Sequence, residues 1–521
     1  MTTPSLPLSP DAAFSCDDLA RVAARRRTPH INEESLEQML RSFEACNRIH
    51  ARGDTIYGVT TGFGPLVRAA SSSEGGEAQG MGLIRHLSAG FGGFIPAPVV
   101  RAAMFARLIT VSRGFSGVHP ATAQDYAEAL ARDVIAAVPD VGSLGASGDL
   151  IPLAHVAAAL AGEGEALVAG GSPNGALTAI PALEALNKAG LEPRAFSARD
   201  ALALVNGTSF SAAYLALAVV RAESLLEKAE ELTAWLMNIL GCRRESLDAR
   251  LHETKGHAGQ RRSAQRIASL LARDYVEKAK RPFQEQYSLR CAPQILGAAR
   301  DVAAFARQTA ETELNGVDDN PLIDAERECA LHGGNFMTQH LAFAADALNS
   351  ALTQTGNLAE RQIEVMMRPE SNGGAPLLLA LAGGSSGMAG AQLSATATLA
   401  EMRAHSQAYA SMSLPTNAGN QDIVPMGFQA ARESYAQTER LAAILAVQSL
   451  CLAQLAFALG ENKAAAAADD ARDYLSNAPA WFPADFQPII HDRRTREELQ
   501  HIQEIILRDA DDTELRKESV G

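Results

Sequence analysis

The residues with the most unusual chemical potential lie in the run Gly142-Ser143-Leu144-Gly145-Ala146-Ser147-Gly148-Asp149. Ser147 invites comparison with a hydrolase nucleophile. The GxSxG elbow, however, needs glycine at 149, where Asp149 stands, and the strand pattern ahead of it is weak. The triplet Ala146-Ser147-Gly148 offers a different chemistry. The Gly148 nitrogen, unhindered by a side chain, could fold back onto the Ala146 carbonyl and close a five-membered ring. Loss of two waters, one from the Ser147 hydroxyl, would leave an exocyclic methylene, an electrophile that no ordinary side chain provides. As a bare tripeptide Ala-Ser-Gly is commonplace, and more often plain loop.

Other constellations carry less. His252-Glu253-Thr254-Lys255-Gly256-His257 imitates the zinc motif HExxH but is one residue too long, and Gly256 interrupts a helix, so the two imidazoles would not share a face. No metal is expected there. The run Gly383-Gly384-Ser385-Ser386-Gly387 looks like a phosphate cradle, yet no lysine follows, and it reads as a turn before a helix. The six cysteines lie far apart without a CxxC pair, which fits neither a disulfide framework nor a zinc finger and suits a reducing cytoplasm. His155, His332 and His340 sit in apolar settings and read as hydrogen-bonded packing residues.

The elements that must position this chemistry are mostly helices. Residues 1 to about 50 read as a short tail and helical segments, with Arg25, Arg26 and Arg27 a solvated basic run. The stretch from Tyr57 to Gly93 is glycine-rich, which implies tight irregular backbone of the kind that often carries function. Helix 98–113 follows, and apolar periodicity resumes at about 150 after the Gly/Ser knot. Residues 164–196 read as a small strand-and-loop excursion. Beyond 200, the stretches 201–240, 296–314, 338–366, 386–412 and 426–460 have apolar residues three and four apart and read as long helices. At about 1.5 Å per residue the longest exceeds roughly 40 Å, so several such rods imply a bundle. The charged stretch from His491 reads as an exposed helix with a frayed end.

Composition narrows the partners. The formal charge of −14 argues against a phosphate-backbone partner, and nucleic acid is not expected. Hydrophobic residues make up 47% and aromatic residues only 5%, so the core must be built from small and aliphatic side chains. The first residues show no positive and apolar signal pattern, which fits a cytoplasmic chain. One uncharged stretch, between Arg440 and Glu461, is long enough to span a bilayer, but its Gln448, Ser449 and Gln454 favour a buried bundle helix, so no membrane partner is expected.

Eight separated blocks give the Ala-Ser-Gly triplet a context. YGVTTGFGP (57–65), LIRHLSAG (83–90), GSLGASGDLIPLAH (142–155), DALALVNGTS (200–209), YSLRCAPQILG (287–297), ELNGVDDNP (313–321), LHGGNFMTQH (331–340) and TNAGNQDIV (416–424) occur in the order found in the aromatic amino-acid ammonia-lyases and related aminomutases, which this chain resembles. The resemblance implies a mainly α, fumarase/histidine-lyase-like fold: an N-terminal domain (1–200) bearing the cofactor, then a long-helix bundle with a C-terminal helical cap (201–521). It also implies a homotetramer with shared active sites. The long apolar helices 338–366, 386–412 and 426–460 agree, offering more apolar surface than one subunit covers. The implied cofactor is 4-methylidene-imidazole-5-one (MIO), formed autocatalytically from Ala146-Ser147-Gly148, with no external cofactor.

The resemblance also implies roles. Tyr57 is the base that removes the β-proton, and a tyrosine, ordinarily protonated at neutral pH, needs its anion stabilised or an alkaline optimum for that task. Arg290 binds the substrate carboxylate, for which a planar bidentate cation is suited. Tyr287 and Asn320 hydrogen-bond the substrate or the cofactor oxygens, and Asn206 polarises the cofactor ring carbonyl. Phe336 is an aromatic pocket position, and Gln421 with Asn417 forms the amine-side polar position. His86 and Leu87 match the ring-selectivity pair, His-Leu in tyrosine lyases, Phe-Leu in phenylalanine lyases and Ser-His in histidine lyases. Histidine lyases carry glutamate where this chain has Gln421.

The expected activity is therefore elimination of ammonia from L-tyrosine to p-coumarate, with phenylalanine to cinnamate as a lesser activity. A tyrosine 2,3-aminomutase, a phenylalanine or histidine ammonia-lyase, and an inactive helical scaffold are the alternatives. Two departures from the family pattern leave the mutase open: Gln284-Glu285-Gln286 precedes Tyr287 where Gln-Asp-Ala is usual, and Gly373-Gly374-Ala375-Pro376-Leu377-Leu378-Leu379 replaces GLPPFL; separately, His257-Ala258-Gly259-Gln260 lacks the proline of HPGQ.

Overall fold

The computed structural model describes residues 3–68, 76–169, 177–461 and 475–512. The chain is mainly helical, as expected. It divides into two compact units, one of residues 1–217, 306–346 and 408–432, the other of 218–305, 347–407 and 433–521. The first crossing falls between Leu217 and Ala218, and the chain returns to the first unit twice.

The first unit is organised around the helix Ala97–Ser112, in which every residue but Pro98 is buried. Its apolar side chains cover it on all sides, so its two arginines, Arg101 and Arg107, must find partners inside. The N-terminal residues, read from sequence as tail and helices, also contain two short parallel strands, Ser5–Leu8 and Thr28–Ile31. Between them Ser15 starts the helix Cys16–Ala23 with a capping box completed by Asp18. The excursion expected at 164–196 is a hairpin, Glu165–Ala169 with Leu177–Pro181, whose tip (170–176) lies outside the described residues, followed by the helix Ala182–Ala189.

One long helix of the sequence reading is two. Residues 201–240 hold the end of the helix Ala198–Val205 and all of Ser209–Leu240, broken at Asn206-Gly207-Thr208. Periodicity could not reveal the break, because its cause is tertiary. A Cβ on Gly207 would stand 1.7 Å from the Arg107 guanidinium, and the Thr208 amide is taken by Asp318 rather than by a helical carbonyl. The helix expected at 386–412 likewise stops early, running Ala389–Ala404, and within the first unit the Asp346 carboxylate captures the amides of Tyr409 and Ala410.

In the second unit Trp235, buried to 1%, packs against Phe482 with ring centroids 5.4 Å apart. Buried Glu230 is held by both nitrogens of the Arg300 fork and by the Ser263 hydroxyl. The C-terminal helix Arg496–Asp511 is amphipathic rather than merely exposed: Ile502, Ile506 and Ala510 are buried, and Asp511 and Asp509 pair with Arg221 and Lys228. Its expected frayed end, 513–521, lies outside the described residues. The Gly-Ser run at 383–387 holds an anion after all, but an internal one: the Ser385 hydroxyl and the Ser386 and Gly387 amides all donate to the Asp492 carboxylate.

Two helices, not one, are long and apolar enough to cross a membrane, Ser209–Leu240 and Gly427–Gly460, and 94% and 89% of their most apolar windows are buried. Buried His252 is spent inside the protein, between the Ser246 carbonyl and the Gln260 amide, and Gly256 ends its helix with φ +91°. Among the described residues no group of three or more His, Cys, Asp and Glu could hold a metal ion.

Candidate active site

Residues 145–148 fold into a tight reversal, with Gly145 and Gly148 both at positive φ and bridged to each other. Gly148 has no alternative. At φ +69° an added Cβ would lie 2.1 Å from the Gly207 carbonyl oxygen, which instead accepts the Asp149 amide at 2.7 Å. The tripeptide is thereby laid against the break between helices Ala198–Val205 and Ser209–Leu240. Asn206, freed from helical geometry at that break, donates its Nδ2 to the Ser147 carbonyl at 2.9 Å, and its Oδ1 is buried with no hydrogen-bond partner among the described residues. On the other side of Ser147, the Gln421 Nε2 donates to the hydroxyl oxygen at 2.8 Å. Gln421 is presented by a small loop closed by paired hydrogen bonds between Thr416 and Gln421, with Asn417 and Ala418 in left-handed conformations.

These groups share a cavity of about 1100 Å³ within the first unit. Of the residues expected from the sequence, Tyr57, His86, Leu87, Ala146, Ser147, Gly148, Asn206, Asn320, Phe336, Asn417 and Gln421 all line it. Tyr287 and Arg290 do not. They belong to the second unit, where the Arg290 guanidinium lies 4.8 Å from the Tyr287 ring centroid, Tyr287 is 70% exposed, and Tyr287 lines a separate cleft with Arg361, Glu364 and Arg368.

Tyr57 is fixed at both ends. Its amide donates to His332 Nε2 at 3.1 Å, and its phenol oxygen accepts the Gly64 amide at 2.7 Å. Burial and the nearby Arg199 lower the His332 pKa, which keeps the imidazole a neutral acceptor. His155 similarly accepts from the Gly90 amide at 3.2 Å, whereas His340 is exposed. Near the C-terminus of the helix Gly76–Leu87, His86 Nδ1 lies 3.2 Å from the Gly82 carbonyl oxygen. A carbonyl only accepts, so the proton sits on Nδ1 and Nε2 keeps its lone pair.

Behind the tripeptide lies a polar network that sequence reasoning missed. Asp149, fully buried, accepts from the Ser143 hydroxyl and from the Ser211 amide and hydroxyl at 2.7–2.9 Å, yet burial still lifts its pKa to about 6. Arg107 joins the Asn206 carbonyl to Asp318, both at 2.9 Å, and Asp318 also takes the Thr208 amide and hydroxyl. Arg199 pairs with buried Asp319, whose Oδ1 accepts the Asn320 amide, and Asn320 Oδ1 in turn accepts the Gly333 amide. The adjacent acids in ELNGVDDNP and the aspartate after Ala-Ser-Gly were the available signal. Apart from Ser143 and Asn320, their partners are 62 to 211 residues away, beyond any local pattern.

A cavity walled by an Ala-Ser-Gly reversal, with a tyrosine and two side-chain amides at its edge, is what a lyase acting through a peptide-derived electrophile would need. The comparisons point to the same class. The profile of the family described as aromatic amino acid lyase matches residues 14–476. The chain is 40% identical over 423 residues to a tyrosine ammonia-lyase of Cereibacter sphaeroides, covering 77% of this chain and 79% of that one. It is 35% identical over 460 residues to a histidine ammonia-lyase of Stigmatella aurantiaca, covering 87% and 88%. A tyrosine aminomutase from Streptomyces globisporus superposes with a TM-score of 0.87 at 31% identity, covering 97% of this chain and 98% of that one. The chain belongs to the aromatic amino acid lyase family and is a carbon–nitrogen lyase.

Proposed function

We propose that the protein is an ammonia-lyase that converts L-tyrosine to p-coumarate, with phenylalanine to cinnamate as a slower reaction, using an MIO group made from Ala146, Ser147 and Gly148. The observation that carries this reading is the pair of donors on Ser147. Ring closure needs the tripeptide held in a reversal, and dehydration needs the Ser147 hydroxyl to leave. Asn206 holds the carbonyl and Gln421 donates to the departing oxygen. The residues present fit the group.

When formed, the group supplies an electrophile that takes the substrate amine and turns it into a leaving group. The chain's own residues do the rest. Tyr57 removes the β-proton, its oxygen held in place by the Gly64 amide. As the electron pair of the β C–H bond becomes the Cα=Cβ bond, the amine departs with the C–N pair. Tyr57 is left holding the proton. His86 Nε2 accepts the substrate phenol, for which the Gly82 carbonyl fixes the needed tautomer, and Leu87 and Phe336 pack the ring. Asn320 orients the substrate. Tyr287, which is exposed, and Arg290, which is half-buried, are assigned to polar and carboxylate binding and to supply from other copies of the chain in a homotetramer; no nucleic acid or membrane partner is involved, and the enzyme is cytoplasmic.

A tyrosine 2,3-aminomutase is the second reading, favoured by the close superposition on an enzyme with that name. It uses the same residues and differs in returning the amine to the β-carbon. Incubation with tyrosine, phenylalanine and histidine separately, with chromatography of acrylates and β-amino acids, distinguishes the readings. Intact mass of the same preparation should be two waters below the translated sequence, and Ser147→Ala should restore at least one while abolishing most activity. Active enzyme with an uncyclised mass refutes the cofactor assignment.

A further inference from the structure

The Thr208 hydroxyl presents a problem of proton count. Its oxygen lies 2.7 Å from Glu313 Oε1 and 2.8 Å from Asp318 Oδ2, and it has a single hydrogen to give. Asp318 is the partner paired with a cation: its Oδ1 takes the Arg107 guanidinium at 2.9 Å, and its Oδ2 takes the Thr208 amide at 2.6 Å as well as the hydroxyl. The hydroxyl hydrogen therefore points to Asp318, leaving lone pairs toward Glu313. A carboxylate there would set two acceptors against each other at 2.7 Å. Only a protonated Glu313 makes the contact a hydrogen bond.

The bond matters because of what Thr208 belongs to. Each of the three residues at the helix break is tied down separately: Asn206 by its carbonyl to Arg107, Gly207 by its carbonyl to the Asp149 amide, and Thr208 by Glu313 and Asp318. From this segment Asn206 reaches the Ser147 carbonyl. We propose that Glu313 is a positioning residue that keeps its proton and donates it to Thr208, fixing the segment that holds the Ala-Ser-Gly tripeptide. The role rests on the MIO reading for its consequence, but not for its geometry.

The surroundings agree with a neutral acid. Glu313 closes the helix Ala292–Leu314; Asp318 from the following loop and Asp149 from the start of the helix Leu150–Leu160 both disfavour a third negative charge, and the Arg107 cation is already paired with Asp318. Burial pushes the Glu313 carboxyl up to about 7, helped by these two aspartates and opposed only by the Thr208 hydroxyl, which would favour the carboxylate if it turned its hydrogen that way.

The test compares wild type with Glu313→Gln, which keeps a donor, and Glu313→Leu, which keeps only bulk. Glu313→Gln should retain kcat and the cyclised mass within about twofold, and the wild-type-minus-Gln infrared difference spectrum at pH 6 should show one protonated carboxylic acid band, apart from that of Asp149, which both proteins keep. Glu313→Leu, lacking one hydrogen bond worth about 1 kcal/mol, should lower kcat about fivefold or more at an unchanged KM. Because the wild-type acid has a folded pKa raised from 4.5 to about 7, its stabilisation is complete below the unfolded value and is lost as pH rises toward 7, so the Tm of Glu313→Gln relative to wild type should rise across that window and level off above it. Equal damage by Gln and Leu, an unaffected Leu variant, or no acid band in the wild-type-minus-Gln difference spectrum would each overturn the proposal. Wild type without cyclised mass or activity would instead overturn the functional reading, while the infrared and Tm measurements would still report the proton.

Discussion

Replacing His86 with phenylalanine asks how the pocket recognises its substrate. His86 Nδ1 is bound to the Gly82 carbonyl, so Nε2 is available to accept a phenol, and a phenyl ring in its place would fill the space without an acceptor. In the single chain His86 is exposed, so water can reach the stranded hydroxyl, and the loss should be that of a net hydrogen bond, about 0.5–1.5 kcal/mol. That is roughly a 2- to 13-fold fall in kcat/KM for tyrosine at about 1.4 kcal/mol per decade. If neighbouring copies seal the pocket, the hydroxyl is stranded dry, the cost becomes about 1–3 kcal/mol, and the fall becomes roughly 5- to 150-fold. Phenylalanine has no hydroxyl to strand and should be turned over as well or better. Steady-state kinetics of both enzymes on both substrates decide the matter. An equal loss on the two substrates would make His86 a structural residue and withdraw the tyrosine preference.

Two further substitutions probe the support of the tripeptide. Gly207→Ala should lose most cyclisation and activity, because its Cβ would meet the Arg107 guanidinium at 1.7 Å and Asp318 Oδ2 at 2.8 Å, and intact mass should show uncyclised chain. Asp149 should make the wild type increasingly less stable relative to Asp149→Asn as pH rises from about 4 through 6: its folded-state pKa is raised, so the stabilisation is complete below the unfolded value of 3.8 and is lost as the buried acid ionises near 6. At about 1.4 kcal/mol per pH unit the full swing is about 3 kcal/mol, of which paired thermal melts at about pH 4.5 and 7.5 should show about 2; a constant difference in Tm would refute it.

The sequence made the helices legible where burial follows a local period and the tripeptide legible through its neighbours. Gln339–Met367 and Gly427–Glu461 fall within a residue or so of their expected ends because nothing but apolar spacing determines them. The break at Asn206–Thr208 was invisible, because Leu204, Val205, Phe210 and Ala213 continue the apolar period across it and the interruption is imposed by Arg107, about 100 residues earlier. For the same reason the eleven expected residues that line the cavity came from recognisable blocks, whereas Asp149, Arg107, Thr208 and Glu313 act through partners that only folding brings near.

Those partners also explain why so many acidic groups are buried behind a neutral peptide. Asp149, Glu313 and Asp319 all have their carboxyl pKa values raised by burial, an energetic penalty that well-packed leucines in the same volume would avoid. Apolar packing, however, constrains side chains through shape, and a backbone segment held only by shape can shift by a fraction of an ångström at little expense. Hydrogen bonds from Arg107, Thr208 and Asp149 bind the carbonyls and amides of residues 206–208 and 149 individually, and each has a narrow range of length and angle. A reaction in which the chain's own amide nitrogen must attack a carbonyl two residues back tolerates little such drift. The ample apolar burial of the surrounding helices supplies the stability against which this local penalty can be carried, and the buried ions are best understood as the means by which the fold determines one tripeptide's geometry.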